Sequence, residues 1–165
     1  LPAEVTNVTS KLKAVPGFSN IEEYLLEKIN RGAEDAAKKA GPIFLNSIKQ
    51  MSFTDAMNIL MGDKNAATQY LQRTTNQALY NEFHPVIVNS LNNLGILDYW
   101  KNAVNTYNTL PFVTKMNPSL DDYVTKQALN GVFGTVEKEE RAIRSNVSLR
   151  STDLMRRVFS KQDSK

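Results

Sequence analysis

This sequence predicts an all-α fold: a single irregular helical bundle of about six to eight helices, partly arranged as αα-hairpins, with no sheet. Three observations predict it. Apolar residues recur at three- and four-residue spacing in almost every segment, which lines up one face of a helix. Gly and Pro fall mostly between these periodic runs, where they punctuate. No run alternates apolar and polar residues long enough to argue for a half-buried strand. At 165 residues, 41% hydrophobic and 22% charged, the chain can bury a core without disulfides or metal. One domain over residues 1–165 is the economical organisation, with 1–18 as an N-terminal arm or short helix and 160–165 as a frayed tail.

The elements follow in chain order. Glu4 to Val15 forms a short helix that stops at Pro16-Gly17. Ser19 or Asn20 caps a longer one, and Glu22 and Glu23 suit its positive end. Its stripe runs Ile21, Leu25, Ile29, Ala33, Ala36, Ala40, Phe44, Ile48, and Gly41-Pro42 should kink it or break it in two. Ser52 and Asp55 make a capping box for a brief amphipathic helix with Phe53, Ala56, Met57 and Leu60, ended by Met61-Gly62. Asp63 caps the next helix, with Ala67, Tyr70 and Leu71 inward, and Thr74 or Thr75 restarts the chain. Leu79, Phe83, Val86, Ile87, Leu91 and Leu94 form a further stripe, which Pro85 should bend or restart and Gly95 should close. Leu97, Trp100, Val104 and Tyr107 continue to Leu110-Pro111, and Pro111 to Pro118 reads as an apolar connector. Ser119 and Asp122 open the most regular helix, carrying Leu120, Tyr123, Val124, Ala128, Val132, Phe133, Val136 and Ile143. Ser151 or Thr152 caps a last helix through Phe159, and Lys161 to Lys165 fray.

Composition excludes several chemistries. With no cysteine there are no disulfides, thiolate metal sites or cysteine nucleophiles. No stretch approaches the roughly 20 apolar residues that span a bilayer. The net charge of +3 is local: Arg141, Arg144, Arg150, Arg156, Arg157, Lys161 and Lys165 face only Asp153 and Asp163. Such a tail could touch phosphate or an anionic membrane, but cations on a solvated face near helix C-termini account for it more simply. No nucleic-acid reading motif accompanies it.

Candidate chemistry is sparse. His84 is the lone histidine, and no local pattern supplies the carboxylate and nucleophile a general base needs, so it reads as structural. Asp121 and Asp122 read as helix-start residues, Gly62-Asp63-Lys64-Asn65 as a helix start lacking a calcium ladder. Glu137–Arg141 and Glu140–Arg144 are spaced to support an exposed helix, and no histidine completes a carboxylate metal site with them. Gly131 and Gly134 lie inside a helix at a cost of about 0.5–1 kcal/mol each, to be offset by close helix packing or by room for a ligand. Tyr70, Tyr80, Tyr99, Trp100, Tyr107 and Tyr123 read as core margins or a pocket rim. No P-loop, dinucleotide fingerprint, nucleophile elbow or zinc spacing occurs, so no catalytic residue, metal or cofactor is assigned.

The runs Ile48–Ala56, Ile59–Asp63 and Ala66–Leu71 resemble an uncharacterised bacterial family, domain of unknown function 4197. So do Leu79-Tyr80 with Phe83 and Pro85, Tyr107-Asn108 with Leu110 to Val113, and Asp122 to Thr125. The ending Glu139-Glu140, Ile143-Arg144 and Ser151 to Leu154 fits as well, while Met61 stands where the family tends to carry a second glycine. The resemblance implies a periplasmic protein or envelope-anchored lipoprotein whose leader is missing here, with membrane proximity only through that leader or anchor. It carries no activity or catalytic residue across.

The expected function is a non-enzymatic envelope module that binds a hydrophobic or amphipathic ligand, or an envelope protein, in a groove between helices. Its expected ligand-binding residues are Arg73, Tyr80, Tyr107, Leu110, Phe112, Asp122, Tyr123, Lys126 and Gly131, with Leu110 to Val113 as a lid. The alternative is an enzyme of unfamiliar type, with Asp63, Arg73, Tyr80, Tyr107, Asp122, Tyr123 and Lys126 converging in one cleft.

Overall fold

Helix α1 (Ala3–Leu12) puts Val5, Val8 and Leu12 on one buried stripe. It ends before the expected Val15, because Val15 precedes a proline and Gly17 takes a positive φ of 91°. The computed structural model describes residues 3–116 and 119–163, and all regular elements among them are helical. Helix α2 (Ile21–Ala37) buries Ile21, Leu25, Ile29, Gly32 and Ala36, with Glu22 and Glu23 in its first turn; Asn20 precedes it without a side-chain cap bond.

The break foreseen at Gly41-Pro42 occurs upstream, at Lys38-Lys39. Helix α3 (Ala40–Lys49) then carries Pro42 in its first turn, where no intrahelical donor is required. The restart turns the buried face: Ser47 is inside, bonded to the Thr74 hydroxyl at 2.8 Å, and Ile48 is exposed. Helix α4 (Phe53–Met61) has the expected capping box, in which Ser52 Oγ accepts from Asp55 N–H and the Asp55 carboxylate accepts from Ser52 N–H.

Helix α5 (Ala66–Asn93) overturns the restart expected at Thr74 or Thr75, and of the two outcomes open at Pro85 it excludes a new helix. It runs unbroken through Thr74 and Thr75, whose hydroxyls bond back to the carbonyls of Tyr70 and Leu71, and it continues through Pro85. Buried neighbours on both sides of the proline, Leu79, Phe83 and Ile87, supply packing that overrides its poor helix propensity. Gly95, at φ 69°, closes α5 and leads into α6 (Ile96–Asn108), which buries Trp100, Ala103, Val104 and Tyr107. Helix α7 (Asp121–Ser145) is followed by a single 3-10 turn at Val147–Leu149, capped by Asn146. Thr152 Oγ1 accepts from Met155 N–H to start α8 (Asp153–Asp163), so residues 161–163 are helical rather than frayed; the expectation for 164–165 lies outside the described residues.

The chain forms two compact units. The first gathers α1, α2, α5 from Asn81, α6 and α7 up to Ala128, around Leu12, Leu25, Phe83, Leu91, Trp100 and Val124. The second gathers α3, α4, α5 up to Tyr80, α7 from Leu129 and α8. Its interior holds Leu60, Leu71, Leu79 and Phe133, but also the buried arginines Arg144 and Arg150.

Candidate functional site

In the second unit, α4 and α8 present matching stripes to one groove. From α4 come Phe53, Ala56, Met57 and Leu60, and from α8 come Leu154, Arg157, Val158 and Lys161. Each set follows i, i+3, i+4, i+7 spacing, so each is one face of its helix. The groove holds about 380 Å³. Leu60 closes its floor, while Phe53 is 82% exposed and Leu154 is 70% exposed at its edges.

A network of charge and backbone holds the walls in place. The Glu140 carboxylate accepts from Ala67 and Thr68 N–H at 2.9 and 2.8 Å and from the Thr68 hydroxyl at 2.8 Å. It therefore caps the N-terminus of α5, the role expected of Asp63; a carboxylate reached through tertiary folding meets the free N–H groups and the helix dipole together. Burial pushes the Glu140 carboxyl up, but those three bonds and one from Arg144 outweigh it and hold it below its ordinary value. The Arg144 guanidinium bonds Glu140 at 2.8 Å and donates to the carbonyls of Ile59 and Leu60 at 2.8 and 3.1 Å, closing the C-terminus of α4. The Glu140–Arg144 pair is thus buried, 8% and 3% exposed, and not the solvated pair its spacing predicts; Glu137–Arg141 is on the surface. Arg150 donates to the carbonyls of Ile143 and Arg144 and pairs with Asp163 near the end of α8, while Phe159 lies beneath both guanidiniums at 5.9 and 5.2 Å.

The expected site residues divide between the units. Arg73, Tyr80, Gly131 and Asp63 belong to the second; Tyr107, Leu110, Phe112, Asp122, Tyr123 and Lys126 belong to the first. None of them lines the α4–α8 groove. Tyr107 is buried in the first core, Asp122 pairs with Lys126 at 2.8 Å, and Arg73 lies over the Tyr70 ring at 5.7 Å. Gly131 and Gly134 are exposed, and a Cβ at either meets nothing within 4 Å, so neither offsets its helix cost through packing. Phe112 is fully exposed at φ 61°, on a connector tied by Asn108, whose amide exchanges two hydrogen bonds with the backbone of Met116.

The first unit also brings His84 to a carboxylate: Nε2 lies 3.0 Å from Asp121 Oδ2. That partner is 37 positions away, which is why no local pattern shows it. Ser119 Oγ donates to the other Asp121 oxygen at 2.6 Å, directing its proton at the acid and not at the imidazole. The Ser119 bond, opposed by burial and helped by His84, holds Asp121 below its ordinary value. This is an order of groups suited to fixing a helix start, not to activating a serine. A larger cleft in the same unit, about 530 Å³, is lined by Lys13, Glu22, Glu23 and Glu27 among others; the Lys13–Glu22 and Lys28–Glu27 bridges and the dipole of α2 account for its charges. Among the described residues no cluster of three potential metal ligands occurs.

A family model described as a protein of unknown function, DUF4197, matches residues 1–160. The chain belongs to this family. No curated protein and no solved structure matches it. Three of the segments that carry the DUF4197 resemblance are joined by the capping network, through Ile59 and Leu60, Ala67 and Thr68, and Glu140 and Arg144. They serve the architecture of the second unit. No described helix is long and apolar enough to cross a membrane.

The groove itself was absent from the expected site. Its sequence signal was present, as the amphipathic stripe of α4 and the Leu154–Val158 pair four residues apart. What sequence spacing does not show is that these two short helices adjoin.

Proposed function

We propose that this chain is a non-enzymatic binding module of the bacterial envelope, which holds an apolar or amphipathic molecule in the groove between α4 and α8. One observation carries the reading: large apolar side chains, above all Phe53 and Leu154, stand open along a groove floored by Leu60. Covering such surface is favourable by about 25 cal/mol per Å². The groove's size falls within the ~300–1,000 Å³ of small-molecule sites. Its four residues per helix fall well short of the roughly 20–30 per side of a stable protein interface, which favours a lipid-like ligand over a protein partner. The envelope address is supported by the resemblance, whose members carry export or lipoprotein leaders.

The test is fluorescence of N-phenyl-1-naphthylamine with wild type and Leu154→Asp. Saturable enhancement is expected for the wild type, with affinity at least tenfold weaker in the variant and an unchanged far-ultraviolet spectrum. Equal binding by both proteins places the ligand elsewhere, and no enhancement by either refutes the reading.

A further inference from the structure

We propose that the groove is selective for anionic single-chain amphiphiles, the alkyl chain lying along Met57, Leu60, Leu154 and Val158 and the carboxylate or phosphate head held by Arg157 and Lys161. This rests on the binding reading above and names the class of ligand.

Among the basic residues from Arg141 to Lys161, two cations stand apart. Arg141, Arg144, Arg150 and Arg156 are each bonded to a carboxylate: Glu137, Glu140, Asp163 and Asp153. Arg157 and Lys161 have no carboxylate partner among the described residues, and both line the groove. The two acids of their own helix are taken, Asp153 by Arg156 at 2.7 Å and Asp163 by Arg150. The helix dipole explains a lysine in the last turn of α8, but not Arg157, which lies in the middle of the helix, beyond the reach of either end.

On α8 the order Leu154, Arg157, Val158, Lys161 alternates apolar and basic side chains along one face. Long basic side chains lay their methylene stems on apolar surface and carry the charge to the rim. The groove is therefore an apolar trough with a cationic edge. A guanidinium binds a carboxylate or phosphate through two parallel N–H donors, and an ammonium adds a second, less directional charge. No acidic side chain lines the trough to compete with an anionic head.

The experiment titrates the protein with laurate, dodecyl phosphate and the neutral 1-monolaurin, each below its micelle concentration, following methyl NMR signals of Met57, Leu60, Leu154 and Val158. Both anions are expected to shift these methyls and to bind at least tenfold more tightly than monolaurin. The double variant Arg157→Gln/Lys161→Gln, altered only at exposed positions, should keep its spectrum and lose that preference. Raising salt from low to high should shrink it in the wild type. Dodecyl phosphate alone, or laurate alone, showing the preference narrows the head group and still supports the assignment. Equal binding of anions and monolaurin at the same methyls overturns the anionic class while leaving the binding module standing. No methyl shift with any of the three overturns both.

Discussion

At the scale of single residues, Glu140 shows how one side chain substitutes for a local cap. It satisfies two N–H groups of α5 and neutralises a buried arginine at once. Removing one partner of a buried pair strands the other, so Glu140→Ala is expected to destabilise the protein by about 3 kcal/mol in urea denaturation. Its carboxyl is depressed in the folded chain, so the stability it contributes is complete above the ordinary value of 4.5 and declines as pH falls through the lower folded value. Glu140→Gln should therefore lose less stability than the wild type between pH 6 and pH 3. The glycines divide in the same physical terms. A Cβ at Gly62 meets the Asn58 carbonyl oxygen at 2.7 Å, so Gly62→Ala should lower the melting temperature. At Gly131, exposed within α7 and unobstructed, Gly131→Ala should stabilise by about 0.5–1 kcal/mol.

At the scale of elements, α8 depends on its surroundings. A helix of 11 residues is too short to persist alone in water, and none of its residues is fully buried. The Thr152 cap, the Arg150–Asp163 pair and the Phe159 ring against two guanidiniums hold it. Phe159→Ala should speed hydrogen exchange of the 153–163 amides while leaving α1 and α2 unchanged, and should weaken groove binding with it. Helix α5 carries the opposite load. Pro85 supplies no donor to the preceding turn, and its position is exposed. Replacing it by alanine should raise stability, by up to about 3 kcal/mol, as read from the denaturation midpoint.

At the scale of the whole molecule, the basic excess near the C-terminal end is mostly paired. Four of the arginines near the C-terminal end are committed to carboxylates, and three of those also donate to backbone carbonyls at helix ends or turns. Nucleic-acid affinity through this segment should therefore be weak, with a salt dependence equivalent to about two phosphate contacts, measurable by fluorescence anisotropy of a labelled duplex. An amphiphile that binds the folded chain at 100 times its Kd should add about 2.7 kcal/mol to its stability, a gain that Leu154→Asp should abolish.

The sequence by itself determined the all-α class, the capping box at Ser52, the cap at Thr152, the closure at Gly95 and the family. All rest on neighbours within about one or two helical turns, where spacing dictates geometry. Tertiary structure decided the rest. It moved the α2–α3 break upstream, kept α5 intact past Thr75 and Pro85, and turned a surface-type Glu–Arg spacing into a buried cap. The buried cap has its partners more than seventy residues away, and burial against such partners outweighs propensities of about a kcal/mol or so per residue. The groove between α4 and α8 belongs to the same class: both faces are legible in the sequence, and only their adjacency is not.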